Sequence, residues 1–310
     1  MPSALLDNLL LHGKQLVPAF LYGTAWKKEK TADLVYLALC SGFRGIDTAA
    51  QPKHYREDLV GQGIRRALSE DRISRDDLFI QTKFTSVNGQ DPNRMPYDPT
   101  ASISEQVHAS IRSSLRNMRP LAEESSSEST YLDCLVLHSP LPTMAQTLEA
   151  WRAAETYVPH KIRYLGISNV SQGILEQLYD AADFKPAIVQ NRFHSSTRFD
   201  ASVRSFCAEQ SVVYQSIWTL SANPKIVRGP EVGLVADKVG LTHYEAMYSL
   251  VLALDNVIIL NGTTNAKHMV GDLSCAQRTR EWASANPKDW AKYLDRFKML
   301  LEETSKWNGS

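Results

Sequence analysis

The chain has 310 residues, 43% hydrophobic, 22% charged and 9% aromatic, an ordinary globular composition with enough length to bury a sizeable core. Its 34 basic and 34 acidic residues balance to no net charge, and no basic stripe marks a nucleic-acid footprint. Four scattered cysteines (Cys40, Cys134, Cys207, Cys275) form no CxxC or Cys/His cluster, which argues against a disulfide framework and a bound metal.

The N-terminal stretch MPSALLDNLLLHGKQLVPAF has no basic region and no small-residue cleavage site, and no run is apolar enough to span a bilayer. A cytoplasmic protein without membrane or nucleic-acid partners is expected, and a monomer by default. Residues 1–17 are expected to form a plug or hairpin over the bottom of the fold. Short apolar runs then follow in order: AFLYGTAW (19–26), FRGIDTA (43–49), LFIQTKF (78–84) and LDCLVLH (132–138). IRYLGISN (162–169), AIVQNRF (187–193), VVYQSIW (212–218) and VIILNGT (257–263) complete the series. Each has strand length and is rich in β-branched or aromatic residues.

Between them lie amphipathic stretches with helical spacing, among them KTADLVYLALCSG, EDLVGQGIRRALSE, SISEQVHASIRSSLRNM and SQGILEQLYDAAD. Strands covered on both faces should read as nearly continuous apolar runs, and these do. Strand and helix alternate eight times without a flexible linker. The pattern predicts an α/β fold, a (β/α)8 TIM barrel, as a single domain over 1–310. An open doubly wound sheet is the rival, but no GxGxxG follows the first strand. Two loop insertions are expected, a proline-rich one at 86–100 and a Ser/Glu-rich one at 119–130.

In such a barrel the C-terminal strand ends share one cleft. Those ends carry Asp47, Lys83 and His138, then Ser168 and Asn169, Gln190 and Asn191, Ser216, and the run Asn261-Gly262-Thr263-Thr264. A lone histidine or lysine in such a place is more often structural. Three ionisable groups on consecutive strands would each be costly to bury alone, so mutual pairing is the economical explanation. Tyr55 follows in a loop. A tyrosine titrates near 10, and a neighbouring ammonium lowers that value while a carboxylate holds the ammonium in place. With a histidine donating to a carbonyl oxygen, such a site would protonate an alkoxide as it forms.

IDTA, the later Tyr-x-Glu-x-x-Val-Gly stretch, QTK, LVLHSP, LGISN, VQN and a late GTT segment occur in this order. Together they resemble the aldo-keto reductase family, with the likeness running from Tyr22 to about Leu273. The resemblance implies an NADP-dependent oxidoreductase reducing an aldehyde or ketone, a small-molecule carbonyl substrate, to an alcohol. Asp47, Tyr55, Lys83 and His138 would take the catalytic positions, with Tyr55 the general acid. Ser168, Asn169 and Gln190 would hold the nicotinamide carboxamide. Gly23, Thr24 and Trp26 match the first loop, and Trp26 would face the substrate if it is not a core residue. Gln215, Ser216 and Leu220 would lie along nicotinamide and pyrophosphate. Gly262, Thr263, Thr264, His268 and Asp272 would surround the adenosine end.

Three departures stand out. Asp47 and Tyr55 are eight positions apart where the family usually has five, so the extra residues within QPKH must bulge out. Pro52 stands at the ungapped position, and His54 is a fallback proton donor. Gln215 replaces an aromatic residue that stacks on the nicotinamide, leaving Tyr214 or Trp218 as substitutes, or a ring held less firmly. His268, beside Lys267, replaces an arginine expected to clamp the 2′-phosphate; NADPH is implied, and NADH stays open. Two alternatives remain: a cofactor-binding sensor with little turnover, and a biosynthetic reductase for one tailored ketone. After Asp272 a terminal helix pair is expected in place of a long substrate loop.

Overall fold

The computed structural model describes residues 8–11, 15–121, 129–254 and 256–307. Of the loop expected at 119–130, residues 122–128 lie outside that part, as do 1–7 and 12–14 of the expected N-terminal plug. Asn8–Leu11 (β1) and Gln15–Pro18 (β2) form an antiparallel hairpin.

Leu21–Gln190 is one compact unit. Its strands are β3 (Phe20–Gly23, entering the unit at Leu21), β4 (Gly45–Asp47), β5 (Phe79–Phe84), β6 (Leu132–Leu137), β7 (Ile162–Ser168) and β8 (Ile188–Arg192, leaving it at Gln190). Each pairs in parallel with the next. Helices α1 (Thr31–Cys40), α2 (Glu57–Ser69), α3 (Ile103–Asn117), α4 (Met144–Glu155) and α5 (Gln172–Ala181) alternate with them. All six residues of β5 and all six of β6 are buried, as expected for strands covered on both faces.

The second unit, Asn191–Ser310 with Met1–Phe20, carries β9 (Val213–Ile217) and β10 (Val257–Asn261), paired in parallel. Its helices are α6 (Ala201–Glu209), α7 (Pro224–Val227), α8 (Pro230–Val239), α9 (His243–Leu252), α10 (Ala266–Ala285) and α11 (Pro287–Trp307). The eight parallel strands take the order β10-β3-β4-β5-β6-β7-β8-β9 of a closed barrel. Each expected apolar run holds one of them. No helix of the described residues is long and apolar enough to cross a membrane.

Local chemistry sets the helices that matter for the site. Ser102 caps α3 in a reciprocal box with Glu105. Gly61 of the Val-Gly pair is required by close approach, since a Cβ there would lie 1.9 Å from the Asn117 carbonyl oxygen of α3. Buried Glu57 opens α2 and accepts from Thr82 on β5 and from Ser114 and Asn117 of α3, at 2.6, 2.9 and 2.9 Å. Burial pushes its carboxyl pKa up, against the pull of those three donors. The start of α2 is thereby tied to the strand that carries Lys83.

Candidate active site

Strand alternation explains why β5 is buried yet polar. Gln81 and Lys83 share one face, and Thr82 points the other way, to Glu57. In the parallel register Gly23 pairs with Asp47, and Asp47 with Gln81. Lys83 Nζ donates to Asp47 Oδ1 and Oδ2 at 2.7 and 2.6 Å and to the Thr48 carbonyl at 2.9 Å. Gln81 and Gln190 add amide donors to Asp47 Oδ1 at 2.7 and 3.0 Å. Thr24 holds the Asp47 carbonyl through its hydroxyl and its backbone N–H, both at 3.0 Å. The carboxylate at the strand end is therefore compensated on several sides.

Tyr55 stands over this pair, with Lys83 Nζ 5.3 Å from its ring centroid. The Gln51 carbonyl accepts from the N–H groups of both His54 and Tyr55, closing Gln51–Tyr55 into one turn. That turn takes up the extra residues, and Glu57 fixes the chain just beyond. The Tyr55 hydroxyl has no hydrogen-bond partner among the described residues, although it is not sealed from solvent. His138 meets the tyrosine ring edge-on, centroids 6.1 Å apart. Asn169, at φ 53°, donates to the His138 carbonyl at 2.8 Å and to Ser168 Oγ at 3.1 Å, and Ser168 donates to the Gln190 carbonyl at 2.6 Å. A hydrogen-bonded chain thus runs from His138 through Asn169, Ser168 and Gln190 to Asp47.

The electrostatics correct one expectation. Burial raises the Tyr55 phenol; Lys83 pulls it down, Asp47 pushes it up, and the net direction is upward. The expected lowering is defeated because Asp47 neutralises the ammonium at contact distance, leaving little field to offset desolvation. Burial works against the Lys83 ammonium as well, but Asp47 and then Tyr55 outweigh it, and its pKa rises. Burial, then Lys83 and His54, bring His138 down to about 3. At neutral pH the site holds a charged lysine, a protonated tyrosine and a neutral histidine. Beside His138 lies a cavity of about 340 Å³ lined by Thr85, Ser86, Asn88, Ser139 and Leu141.

Trp26 is 65% exposed, so it is not a core residue; its ring lies against His54 at 3.7 Å. Burial and Lys53 lower the His54 pKa. His54 is carried by the same turn as Tyr55.

The second unit carries the three residues named for the nicotinamide on and just after β9. Gln215 and Tyr214 are both fully buried, but the Tyr214 hydroxyl donates to Asp200 at 3.0 Å. Trp218, at φ 61°, is exposed and lies under the Arg192 guanidinium at 4.5 Å. Ser216 bonds Thr219 at 2.6 Å, just before Leu220. Ser216 pairs with Ile259 in register, so β9 and β10 end side by side. After β10, Asn261 accepts from Thr263 N–H and donates to buried Asp272 at 2.7 Å. Asn265 caps α10 by accepting from the Lys267 and His268 N–H groups, and Gly262, Thr264, Lys267 and His268 are exposed there.

A profile of the aldo/keto reductase family matches residues 19–264. The protein belongs to this family. This aldo/keto reductase is 29% identical over 258 residues to the uncharacterized oxidoreductase YtbE of Bacillus subtilis, covering 82% of this chain and 81% of the relative. It is 28% identical to a glyoxal reductase of the same bacterium, over 82% of this chain and 80% of that one. An NAD(P)H-dependent D-xylose reductase of Pachysolen tannophilus is 29% identical over 61% of this chain and 59% of its own. Among solved structures, an aldo-keto reductase of Bombyx mori in complex with NADP superposes with a TM-score of 0.71 at 18% identity, covering 89% of this chain and 92% of that one. The aldose reductase of Schistosoma japonicum gives 0.70 at 18%, covering 90% and 92%.

Three residues of this aldo/keto reductase escaped the sequence reading. Gln81 was legible in principle, lying two positions before Lys83 on the same strand face. Gln51, whose amide donates to the Gly89 carbonyl at 2.7 Å, and Thr85, bonded to His138 at 2.7 Å, carry no sequence signal of their roles.

Proposed function

We propose that the protein reduces an aldehyde or ketone to an alcohol with a nicotinamide dinucleotide, NADPH before NADH, and that Tyr55 is the general acid. The observation that carries this reading is the placement of the Tyr55 ring over the Lys83–Asp47 ion pair, with His138 at its edge. The donor set suits a nicotinamide amide. Asn169 is exposed and its Oδ1 has no partner among the described residues, while Gln190 and Ser168 lie buried behind it. When bound, the cofactor supplies the hydride to the carbonyl carbon.

The protein's own residues do the rest. Neutral His138 donates a hydrogen bond to the carbonyl oxygen and orients it. Burial keeps the proton on Tyr55 until an alkoxide, a far stronger base, develops beside it. Once the proton has moved, Lys83 stabilises the phenolate, and Asp47 keeps that ammonium charged and fixed. Lys267 and His268, exposed where α10 begins, are the side chains offered to a 2′-phosphate, and an imidazole is a weaker clamp than the forked guanidinium of an arginine. Trp26 and His54 supply aromatic surface for the substrate.

The turn at Gln51–Tyr55 weighs against a sensor without turnover, because it takes up the extra residues between Asp47 and Tyr55 and leaves the tyrosine ring over Lys83. The deciding assay follows oxidation of NADPH, and separately NADH, against a broad panel of aldehydes and ketones. Consumption with a carbonyl present and none without it is expected. Cofactor binding with no consumption on any carbonyl would end the reductase reading.

A further inference from the structure

Thr85 follows β5 and continues the face that presents Gln81 and Lys83. It is 4% exposed, and its Oγ1 lies 2.7 Å from His138 Nδ1. Its backbone is clamped from the loop that follows: the Tyr97 hydroxyl donates to the Thr85 carbonyl at 2.5 Å and the Gln90 amide at 3.2 Å. The Tyr97 ring in turn lies 5.8 Å from that of Phe84. A neutral imidazole carries one N–H, so whichever nitrogen faces Thr85 decides what the other offers the cavity.

We propose that Thr85 is a positioning residue: its hydroxyl donates to His138 Nδ1, which places the hydrogen on Nε2 and makes Nε2 the donor that meets the substrate's carbonyl oxygen. The donor count favours this arrangement. In the reverse one, Nδ1–H donates to Oγ1 and the buried threonine hydroxyl needs another acceptor. Among the described residues Oγ1 has no partner but His138. The forward arrangement satisfies both groups and leaves the one free N–H directed away from Thr85. A histidine with the opposite tautomer would present a lone pair to the carbonyl oxygen and repel it. The role in turnover rests on the reductase reading above; the tautomer does not.

The test is long-range 1H–15N correlation on full-length protein labelled in its eight histidines, with the His138 signals assigned by their loss in His138→Gln. Wild type and Thr85→Ser should show a bare Nδ1 and a protonated Nε2, and Thr85→Val, which keeps the shape and removes the hydroxyl, should lose that signature. Kinetically, Thr85→Val should lower kcat by about tenfold with NADPH affinity kept, and Thr85→Ser should restore it. A protonated Nδ1 in wild type overturns the proposal even if Thr85→Val cannot be folded. So does a Thr85→Val protein that keeps the protonated Nε2. Failure of every carbonyl substrate would strike the reductase reading alone, since the tautomer is read without turnover.

Discussion

Lys83 reaches both carboxylate oxygens of Asp47 from the neighbouring strand, at 2.6 and 2.7 Å, with both side chains sealed from solvent. Removing one partner of such a pair strands the other as a buried charge, at about 3–5 kcal/mol, whereas removing both is far cheaper. Lys83→Met should therefore cost about that much in denaturant unfolding and abolish turnover. Adding Asp47→Asn should return much of the stability and none of the activity. Recovery of turnover in the double variant would show that the pair is structural only.

Tyr55→Phe separates chemistry from packing in the opposite sense. The hydroxyl has no hydrogen-bond partner among the described residues, so its loss should change stability by no more than about 0.5 kcal/mol. Turnover should fall by about 10²–10⁴-fold with NADPH fluorescence quenching preserved. Near wild-type kcat would remove Tyr55 as the acid and bring His54 forward.

His138, held down to about 3 by burial and by Lys83, should remain neutral across the working range. Its ring 15N shifts should be flat between about pH 5 and 8, where an ordinary histidine titrates. The sign for stability follows. Between the usual 6.5 and the depressed value the unfolded chain binds a proton that the native one refuses, so this group makes the protein less stable as pH falls through that window. A His138 titration step near pH 6.5 would contradict the burial argument.

Asp272 acts the other way. Burial raises its carboxyl from 3.8 to about 6, against the bond from Asn261 and the nearby charge of His268. Between those values the native state holds a proton that the unfolded chain has released. Stability is thus lost as pH rises from about 4 to 6, by roughly 3 kcal/mol. Asp272→Asn should abolish that slope and make the protein more stable at pH 7. The difference between variant and wild-type unfolding curves across this window is the measurement, because other titrating groups cancel in it.

Tyr214 offers a control on β9. Its hydroxyl donates to Asp200, whose carboxyl burial has already raised, so Tyr214→Phe should cost about 1–3 kcal/mol. Activity and NADPH affinity should stay within about twofold of wild type. A selective rise in the cofactor's dissociation constant would instead place Tyr214 at the nicotinamide.

The barrel strands were legible because a strand buried on both faces must be nearly all apolar, which makes an ionisable residue at its end conspicuous. Asp47, Lys83 and His138 stood out on that ground alone, and Tyr55 joined them from the loop that follows Asp47. The route by which Tyr55 comes to stand over Lys83 was not legible, because it depends on one carbonyl, that of Gln51, accepting two N–H groups. Nor was the sign of the Tyr55 shift, since burial and two opposing charges compete over a few ångströms. Gln81, Gln51 and Thr85 act through contacts made only when strands and loops distant in the chain come together. Covalent order dictates which groups are present and which face of a strand they share. Folding decides which of them touch, and hydrogen bonds and pKa shifts depend on that distance.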